Sequence, residues 1–211
     1  DPFILFHMLQ NGYTPEQLKT ALEKESGLKG ISGLSGDLRD LQKAAAERGI
    51  PLAAFPNTAL TAMFGPDGPA VLGLPEADFV LFWDKDVRLA RTMEACGVRV
   101  YNAAEAVAVC DDKAATHLAL AGGGIPMPRT LVAPMTYLQM DQPGEGFLAL
   151  AEERLGFPMV VKECYGSLGG QVYLARNGTE LRGLAERMAA RPFIAQEFVA
   201  SSAGRDIRLY M

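Results

Sequence analysis

The stretch that decides the fold of this chain is Pro158-Met-Val-Val-Lys-Glu-Cys-Tyr-Gly-Ser-Leu-Gly-Gly-Gln-Val-Tyr173. Residues 159–161 form an apolar run of strand length and residues 171–174 form a second one, with a glycine-rich segment between them. This pattern predicts two strands joined by a turn. Lys162 lies in the first strand, and the glycines allow backbone N–H groups to approach an anion closely. The sequence therefore predicts a hairpin with a phosphate as its ligand.

The predicted hairpin differs from the standard glycine loops. A Walker loop requires Gly-x-x-x-x-Gly-Lys-Ser/Thr at the start of a helix, and a dinucleotide fingerprint also continues into a helix, whereas a strand follows here. Glycine-rich hairpins with a nearby lysine also occur in proteins that bind no nucleotide. A purely structural turn therefore stays open as an alternative.

The composition indicates a soluble globular protein. The chain has 211 residues, of which 49% are hydrophobic and 21% charged, enough for one or two domains with their own cores. A net charge of −5 argues against nonspecific nucleic-acid binding or an anionic membrane surface. No apolar run approaches the ~18 residues of a membrane span, and no signal peptide is recognisable. We therefore expect a cytoplasmic protein with neither nucleic acid nor membrane among its partners.

The cysteine pattern predicts neither a disulfide framework nor a zinc site. Cys96, Cys110 and Cys164 are odd in number, lie far apart and form no Cys-x-x-Cys pair. We expect three reduced, mostly buried thiols and no metal site in this chain.

Residues 1–49 are predicted to form three helices. Thr14-Pro-Glu-Gln17 is a capping box that opens the second of them. A Gly/Ser-rich segment then leads to Asp37 and Arg39 at the start of the third. This arrangement suits a phosphate or ribose site, and a loop followed by an N-terminal cap explains it about as well.

The Gly/Ser-rich segment resembles one internal piece of acetate kinase and related acyl kinases. The matching run is Ser26-Gly-Leu-Lys-Gly-Ile-Ser-Gly-Leu-Ser-Gly-Asp-Leu-Arg39, and the resemblance covers about the first 45 residues. It implies that Asp37, Leu38 and Arg39 lie at a nucleotide pocket. The catalytic arginines, the histidine and the magnesium carboxylates of that family lie in parts that this chain does not contain. We therefore expect no acyl kinase activity from this chain alone.

The middle of the chain is predicted as an α/β unit that begins at a junction within residues 42–50. Residues 50–54 are predicted as a strand, residues 64–69 as an exposed turn and residues 78–83 as a buried strand. An apolar helix from Val87 to a stop at Gly97, and a strand over residues 98–101, complete a βαβ unit. Asn102-Ala-Ala-Glu105 is predicted to cap the next helix.

The sequence Asp111-Asp-Lys113 is predicted to open a further helix, with Asp111 as the N-cap and Lys113 in the first turn. A lysine at this place opposes the helix dipole, which indicates either a compensating anion or a solvated side chain. His117, one turn later, has no second His or Cys at ligand spacing, so we interpret it as a surface or packing residue.

The remaining segments predict an α+β sheet domain. We expect strands at residues 130–133, 193–199 and 205–211, together with helices at 147–155 and 181–188. This sheet would hold a nucleotide against Lys162.

Residues from about 46 to 211 resemble the RimK-type ATP-grasp ligases. Three runs carry the resemblance: Asp111-Asp-Lys with the later Gly-Ile-Pro-Met-Pro-Arg-Thr130, Val160-Val-Lys-Glu-Cys-Tyr-Gly-Ser-Leu-Gly169, and Gln196-Glu-Phe with the later Gly204-Arg-Asp-Ile-Arg208. The implied fold is α/β and α+β: an incomplete ATP-grasp domain at residues 111–211, a small βαβ unit at 46–110 and the helical kinase-like segment at 1–45.

The resemblance implies a role for each matching residue. Lys113 and Lys162 would contact the ATP phosphates, Glu197 and Phe198 would meet adenine, and Asp206 would approach the ribose or phosphates. Gly166, Gly169 and Gly170 would fold over the β and γ groups, and Arg208 would be catalytic, next to the developing acyl phosphate. The chemistry is activation of a carboxylate by ATP and attack by an amine, with small molecules or peptides as the substrates.

ATP and Mg²⁺ are the implied cofactors. The family binds magnesium through Asp, Glu and Asn residues beyond the Asp-Ile-Arg strand, and this chain stops before them. Both ends read as cut, so we expect the chain to be inactive by itself. An uncovered sheet face and an open strand edge favour a homo-oligomer.

Three hypotheses follow from these patterns. The first is a fragment of an ATP-dependent carboxylate–amine ligase joined to a kinase-like piece. The second is an acetate kinase-type phosphotransferase fragment, and the third is a fusion product without activity.

Overall fold

The computed structural model describes residues 38–137, 144–166 and 169–204, together with Thr14 and Gln17. The described helices are α1 (Leu38–Glu47), α2 (Val87–Ala95), α3 (Ala104–Asp111), α4 (Lys113–Leu120), α5 (Glu145–Leu155) and α6 (Gly178–Arg187). The described strands are β1 (Thr61–Gly65), β2 (Gly68–Leu72), β3 (Val80–Leu81), β4 (Val100–Tyr101), β5 (Thr130–Val132), β6 (Met159–Glu163), β7 (Val172–Ala175) and β8 (Phe193–Glu197). No helix in these ranges is long and apolar enough to cross a membrane.

The described residues belong to two compact units: the first contains those up to Pro56 together with Gly204, and the second is Asn57–Ala203. In the first unit, the predicted capping box is confirmed. The backbone N–H of Thr14 donates to Gln17 Oε1 at 2.8 Å, and the N–H of Gln17 donates to Thr14 Oγ1 at 3.2 Å. The predicted first helix and Asp37 lie outside the described residues.

Helix α1 ends where the sequence predicts, but the expected strand after it is absent. Gly49 takes a φ of +70°, its N–H donates to Ala46 O, and the N–H of Ile50 donates to Ala45 O. These bonds form a Schellman cap, which uses the backbone donor of Ile50. Because Pro51 has no N–H, residues 50–54 are poorly suited to a sheet ladder. The predicted strand at this position is therefore wrong.

The second unit begins with an antiparallel hairpin that the sequence indicated only as a turn. Strands β1 and β2 pair from Thr61 opposite Leu72 to Gly65 opposite Gly68, and Pro66 and Asp67 form the two-residue connection. Gly68 takes a φ of +105°, which glycine tolerates. Glycines, a proline and exposed side chains at most positions interrupt the alternation that would have revealed the strands.

The predicted βαβ unit is confirmed. Strands β3 and β4 are parallel, α2 connects them, and Gly97 after α2 takes a φ of +83°. The strand predicted at residues 78–83 is shorter than expected, because β4 offers partners to only two of its residues. The core of this unit contains Phe82, Leu89, Ala90, Met93, Val100 and Ala104.

Two predicted N-caps are wrong. The N-cap of α3 is Ala103 and not Asn102, and the N-cap residue itself makes no side-chain cap bond. The Glu105 carboxylate pairs with Arg91 at 2.9 Å. The N–H of Ala104 donates instead to Glu94 Oε1 at 2.8 Å. At α4, the N-cap is Asp112 and not Asp111.

A four-stranded antiparallel sheet in the order β5-β8-β6-β7 confirms the predicted strands at residues 130–133, 159–161, 171–174 and 193–199. The two predicted helices beside it are also confirmed as α5 and α6. One sheet face packs with these helices into a core that contains Met159, Val161, Leu181, Met188, Phe193 and Ala195. The strand predicted at residues 205–211 lies outside the described residues.

The opposite sheet face carries the polar side chains. Side chains alternate along a strand, and directly paired residues of antiparallel strands share a face. Val160 pairs with Gln196, which pairs in turn with Thr130, and Lys162 pairs with Ile194. The side chains of Lys162, Gln196 and Thr130 therefore lie together on the face away from α5 and α6.

Candidate functional site

Lys113 ties the start of α4 to the end of β6. Asp112 Oδ1 caps the helix by accepting from the N–H groups of Ala114 at 2.8 Å and Ala115 at 3.3 Å. This cap leaves the N–H of Lys113 to donate to Cys164 O at 3.0 Å. The Lys113 ammonium donates to Cys164 O and to Gly166 O, both at 3.2 Å. The lysine therefore lies in the first helical turn, as predicted, and contacts the glycine-rich turn of the β6–β7 hairpin.

Lys162 presents the second cation. Its ammonium donates to Gln196 Oε1 at 2.6 Å. Burial lowers the pKa of Lys162 below its usual value, and the positive charge of Lys113 lowers it further. Among the described residues, neither ammonium forms an ion pair with a carboxylate. Two neighbouring cations without a counter-charge favour an anion as their ligand.

Gln196, which accepts from Lys162, also contacts the side chains of His117 and Thr130. We call these three residues the Gln196 network. Gln196 is only 5% exposed, and its Nε2 lies 2.9 Å from Thr130 Oγ1 and 3.0 Å from His117 Nε2. Each member comes from a different element, β8, α4 and β5. The network therefore joins the helix that carries Lys113 to the strands beside Lys162.

The glycine-rich turn is described at Gly166 and from Gly169 onward. Gly166 takes a φ of +124°, and a Cβ atom added there would lie 2.4 Å from Gln171 Oε1. Gly169 also has a positive φ of +75°, and its carbonyl accepts from Val172 N at 3.2 Å. The carbonyl of Gly170 accepts from the Tyr173 hydroxyl at 3.3 Å. The positive φ expected of the turn glycines is therefore confirmed at Gly166 and Gly169 and is wrong for Gly170, whose φ is not positive.

Alanine at Gly166 is expected to destabilise the turn by about 1–3 kcal/mol, because an L-residue is strained at this φ and its Cβ would displace the buried end of Gln171. The matched control is Gly170→Ala, where φ is not positive and no atom lies within 4 Å of the added Cβ. Urea unfolding of both variants measures the difference. Equal stability of the two variants would contradict the assigned geometry.

The segment predicted to meet adenine follows directly from β8. The Glu197 carboxylate pairs with Arg129 Nε at 2.6 Å, and the Glu197 N–H donates to Arg129 O at 2.9 Å. The hydrogen bond from Arg129 lowers the pKa of Glu197. Phe198 is half-buried. The side chain of Glu197 is therefore occupied, and the contact of these residues with adenine stays a prediction.

The other predicted site residues are not described beside Lys162. Asp37, Asp206 and Arg208 are outside the described residues. Leu38 and Arg39 begin α1, in the first unit. Within the described ranges, no group of three or more His, Cys, Asp or Glu side chains could hold a metal ion.

The sequence interpretation missed the Gln196 network. His117 was expected to be a surface or packing residue, whereas its Nε2 contacts the amide of Gln196. A signal existed for Gln196, because a polar residue follows three apolar ones in the run Phe193-Ile-Ala-Gln196 and so predicts a buried polar contact. No local pattern marks His117 or Thr130, since their contact depends on strand register and on the position of α4.

The thiols differ from the prediction of mostly buried cysteines. Cys96 and Cys110 are exposed and Cys164 is buried. Burial raises the pKa of the Cys164 thiol to about 11, and Asp112 adds to the effect. We expect Ellman's reagent to label Cys96 and Cys110 in the folded chain and Cys164 only after unfolding. Rapid labelling of Cys164, identified by peptide mass, would contradict the packing at the end of β6.

His117 gives a pH dependence to stability. Burial and the charge of Lys162 lower the pKa of His117 below its ordinary 6.5. A lowered pKa means that the folded state disfavours the charged form, so this contribution to stability is complete above pH 6.5 and is lost as the pH falls through the folded pKa. Urea unfolding between pH 5 and 7.5 (roughly this window) is expected to show this loss in the wild type and not in His117→Gln. The same slope in both proteins would disprove it.

Two parts of the chain match known protein families. Residues 110–211 match the RimK-like ATP-grasp domain, and residues 1–58 match the acetokinase family. A β-citrylglutamate synthase B from Danio rerio is 34% identical over 61% of this chain and 30% of its own length. An acetate kinase from Acaryochloris marina is 53% identical over 22% of this chain and 12% of its own length. The chain spans less than half the length of these curated relatives.

The fold also has a solved counterpart. The crystal structure of a RimK domain ATP-grasp protein from Sphaerobacter thermophilus superposes with a TM-score of 0.58 at 23% identity, over 79% of this chain and 62% of that one. This similarity confirms the predicted ATP-grasp fold, of which the chain contains a part. Residues 110–211 of this chain are therefore similar to the RimK-like ATP-grasp domain, whose family model they match.

Proposed function

We propose that the sheet face around Lys162 binds the phosphates of ATP, within an ATP-dependent carboxylate–amine ligase. The observation that carries the proposal is the proximity of two cations, Lys162 on the polar sheet face and Lys113 at the glycine-rich turn. Lys113 bonds the carbonyl of Gly166, and it lies close enough to Lys162 to lower the pKa of that lysine. A polyphosphate supplies the negative charge that such a pair lacks.

The reaction proposed is activation followed by amide formation. A carboxylate oxygen attacks the γ-phosphorus of ATP and releases ADP, and an amine then displaces phosphate from the acyl phosphate. Catalysis of this kind depends on positioning and on neutralisation of charge. The name of the Danio rerio relative, a synthase, supports a reaction of the ligase type. The substrates would be small-molecule or peptide carboxylates and amines.

The remaining roles follow the family resemblance. Gly166, Gly169 and Gly170 would cover the β and γ phosphates, and Glu197 with Phe198 would meet adenine through their backbone. The residues outside the described ranges are Asp206, proposed near the ribose or phosphates, and Arg208, proposed beside the acyl phosphate. We propose domains at residues 1–45, 46–110 and 111–211, and a cytoplasmic location.

ATP-grasp enzymes generally use Mg²⁺ together with ATP. The described side chains of this chain include no cluster of ligands for the ion, so none of them is assigned to it. The two lysines would contribute positive charge at the phosphates beside that of the ion.

Calorimetric titration of the full chain with Mg-ATP tests the proposal. We expect saturable binding at one site, loss of binding in the double variant Lys113→Ala/Lys162→Ala, and unchanged binding in Lys43→Ala, which removes an exposed lysine of α1. Absence of binding by the folded wild type would overturn the proposal. If Mg-ATP affinity falls in Arg39→Ala and not in the lysine variants, a kinase-type nucleotide site would be favoured. The match of residues 1–58 to the acetokinase family supports that alternative.

A further inference from the structure

The orientation of the Gln196 amide can be deduced from its neighbours. An ammonium group only donates hydrogen bonds, so the atom of Gln196 that lies 2.6 Å from Lys162 Nζ must be the carbonyl oxygen. The amide nitrogen then faces the other way. Its two hydrogens match the two remaining contacts, with Thr130 Oγ1 at 2.9 Å and with His117 Nε2 at 3.0 Å.

The orientation of the Gln196 amide also determines the tautomer of His117. Because the Gln196 amide nitrogen donates, His117 Nε2 must accept, and the ring proton of the neutral imidazole must lie on Nδ1. His117 Nδ1 is buried and has no hydrogen-bond partner among the described residues. The Nδ1–H therefore makes no hydrogen bond among the described residues, whereas Nε2 accepts one from Gln196. This indicates that the contact with Gln196 determines the tautomer of the ring.

We infer that His117 is a positioning residue for the phosphate-binding lysine: its neutral, Nδ1-protonated ring fixes the Gln196 amide, and the amide directs the Lys162 ammonium. The inference rests on the proposed function, because the purpose of a directed ammonium at this position is to meet a phosphate. It adds a group that acts through another side chain and does not touch the nucleotide.

Protonation of His117 is expected to release Lys162. The imidazolium would present an N–H to the amide nitrogen of Gln196, and two donors cannot bond each other. Rotation of the amide would relieve this contact, but it would place the NH₂ group against the Lys162 ammonium. Without rotation, Gln196 loses the contact that fixes its amide, and with rotation, Lys162 loses its acceptor.

The charges around His117 agree with a neutral ring that becomes protonated only at lower pH. Lys162 faces it from β6 and disfavours the imidazolium, while Gln196 of β8 and Thr130 of β5 are neutral. On its own helix, Lys113 lies one turn earlier, and the Asp112 carboxylate bonds the helix amides. Asp111, at the end of α3, pairs with Lys85. None of these carboxylates bonds the ring of His117 in the described part of the chain.

Nitrogen-15 NMR of the imidazole rings tests the inference without any nucleotide. The chain contains two histidines, so His117 is assigned as the signal that is missing from His117→Gln. At neutral pH we expect a protonated Nδ1 and a bare Nε2 in the wild type. A proton on Nε2 at neutral pH would overturn the inference.

Binding of Mg-ATP between pH 5.5 and 8 (about the range in which histidine titrates) provides the functional test. We expect wild-type affinity to fall by about threefold to tenfold as His117 becomes protonated, which corresponds to loss of one hydrogen bond. His117→Gln retains an acceptor for Gln196, so it should keep the neutral-pH affinity and lose this pH step. His117→Leu removes the acceptor and should bind about threefold to tenfold more weakly at every pH. ATP itself titrates in this range, equally for all three proteins.

The outcomes separate this inference from the proposed function. If Lys162→Ala leaves Mg-ATP affinity unchanged, the proposed function fails, and the NMR tautomer still decides the state of His117. If Lys162→Ala weakens binding while the wild type, His117→Gln and His117→Leu share one affinity and one pH profile, the site is supported and His117 has no positioning role.

Discussion

Replacement of Phe193 by alanine is expected to lower the free energy of unfolding by about 4 kcal/mol. Phe193 is 1% exposed and lies on β8, an inner strand of the four-stranded sheet. Its ring meets that of Phe147 edge to face, with centroids 5.7 Å apart. The substitution removes a large apolar side chain from the contact between the sheet and α5, and a rigid core refills such a cavity only in part.

Urea unfolding, together with hydrogen exchange of the β8 amides, measures this effect within the second unit. The control is Phe64→Ala in the β1–β2 hairpin, where the side chain is 74% exposed and the change should stay within about 0.5 kcal/mol. A loss below about 1 kcal/mol for Phe193→Ala would mean that the sheet and the helices do not share the described core.

Replacement of Lys162 by alanine is expected to weaken Mg-ATP binding by about 10- to 100-fold. The estimate follows from the loss of one charge-assisted hydrogen bond to a phosphate, which contributes about 1.5–3 kcal/mol. Burial and the neighbouring Lys113 lower the pKa of Lys162, so a bound polyanion relieves an unfavourable charge. As the pH is raised, Lys162 should therefore lose its proton, and binding should weaken, at a lower pH than for an ordinary lysine.

Lys113→Ala should differ from Lys162→Ala in one respect. The Lys113 ammonium donates to the carbonyls of Cys164 and Gly166, so its loss should loosen the glycine-rich turn as well as remove a charge. We expect faster hydrogen exchange at residues 163–166 in Lys113→Ala and not in Lys162→Ala. Calorimetry gives the affinities, with Lys43→Ala as the control, and an unchanged affinity in Lys162→Ala would exclude its contact with phosphate.

Local patterns predicted the elements whose residues interact with sequence neighbours. The hairpin around Lys162, the βαβ unit and helices α5 and α6 were recognisable because their apolar residues repeat with the period of the element. The strand at residues 50–54 was wrong because the Schellman cap at Gly49 and the missing N–H of Pro51 outweigh an apolar run. The capping box predicted at Asn102 is wrong, because Ala103 is the N-cap and the first helical N–H bonds Glu94, a residue of another helix.

The candidate site was predicted in part. Lys113 and Lys162 were identified from motifs, and the turn glycines from the positive φ that such a turn requires. Gln196, His117 and Thr130 were not assigned to the site, since they come from three separate elements and meet only through strand register and helix packing. The roles of Asp206 and Arg208 rest on the family resemblance.

The sequence by itself determined the family resemblance, the strands and helices with regular periods, and the two lysines near a glycine-rich turn. Each of these follows from residues that are close in the chain. Only the tertiary structure decided which side chains share the polar face of the sheet. Antiparallel pairing brings Gln196 between Thr130 and Lys162, and packing of α4 brings His117 to the same amide. Hydrogen-bond direction, and with it the protonation state that holds Lys162, depends on that three-dimensional proximity.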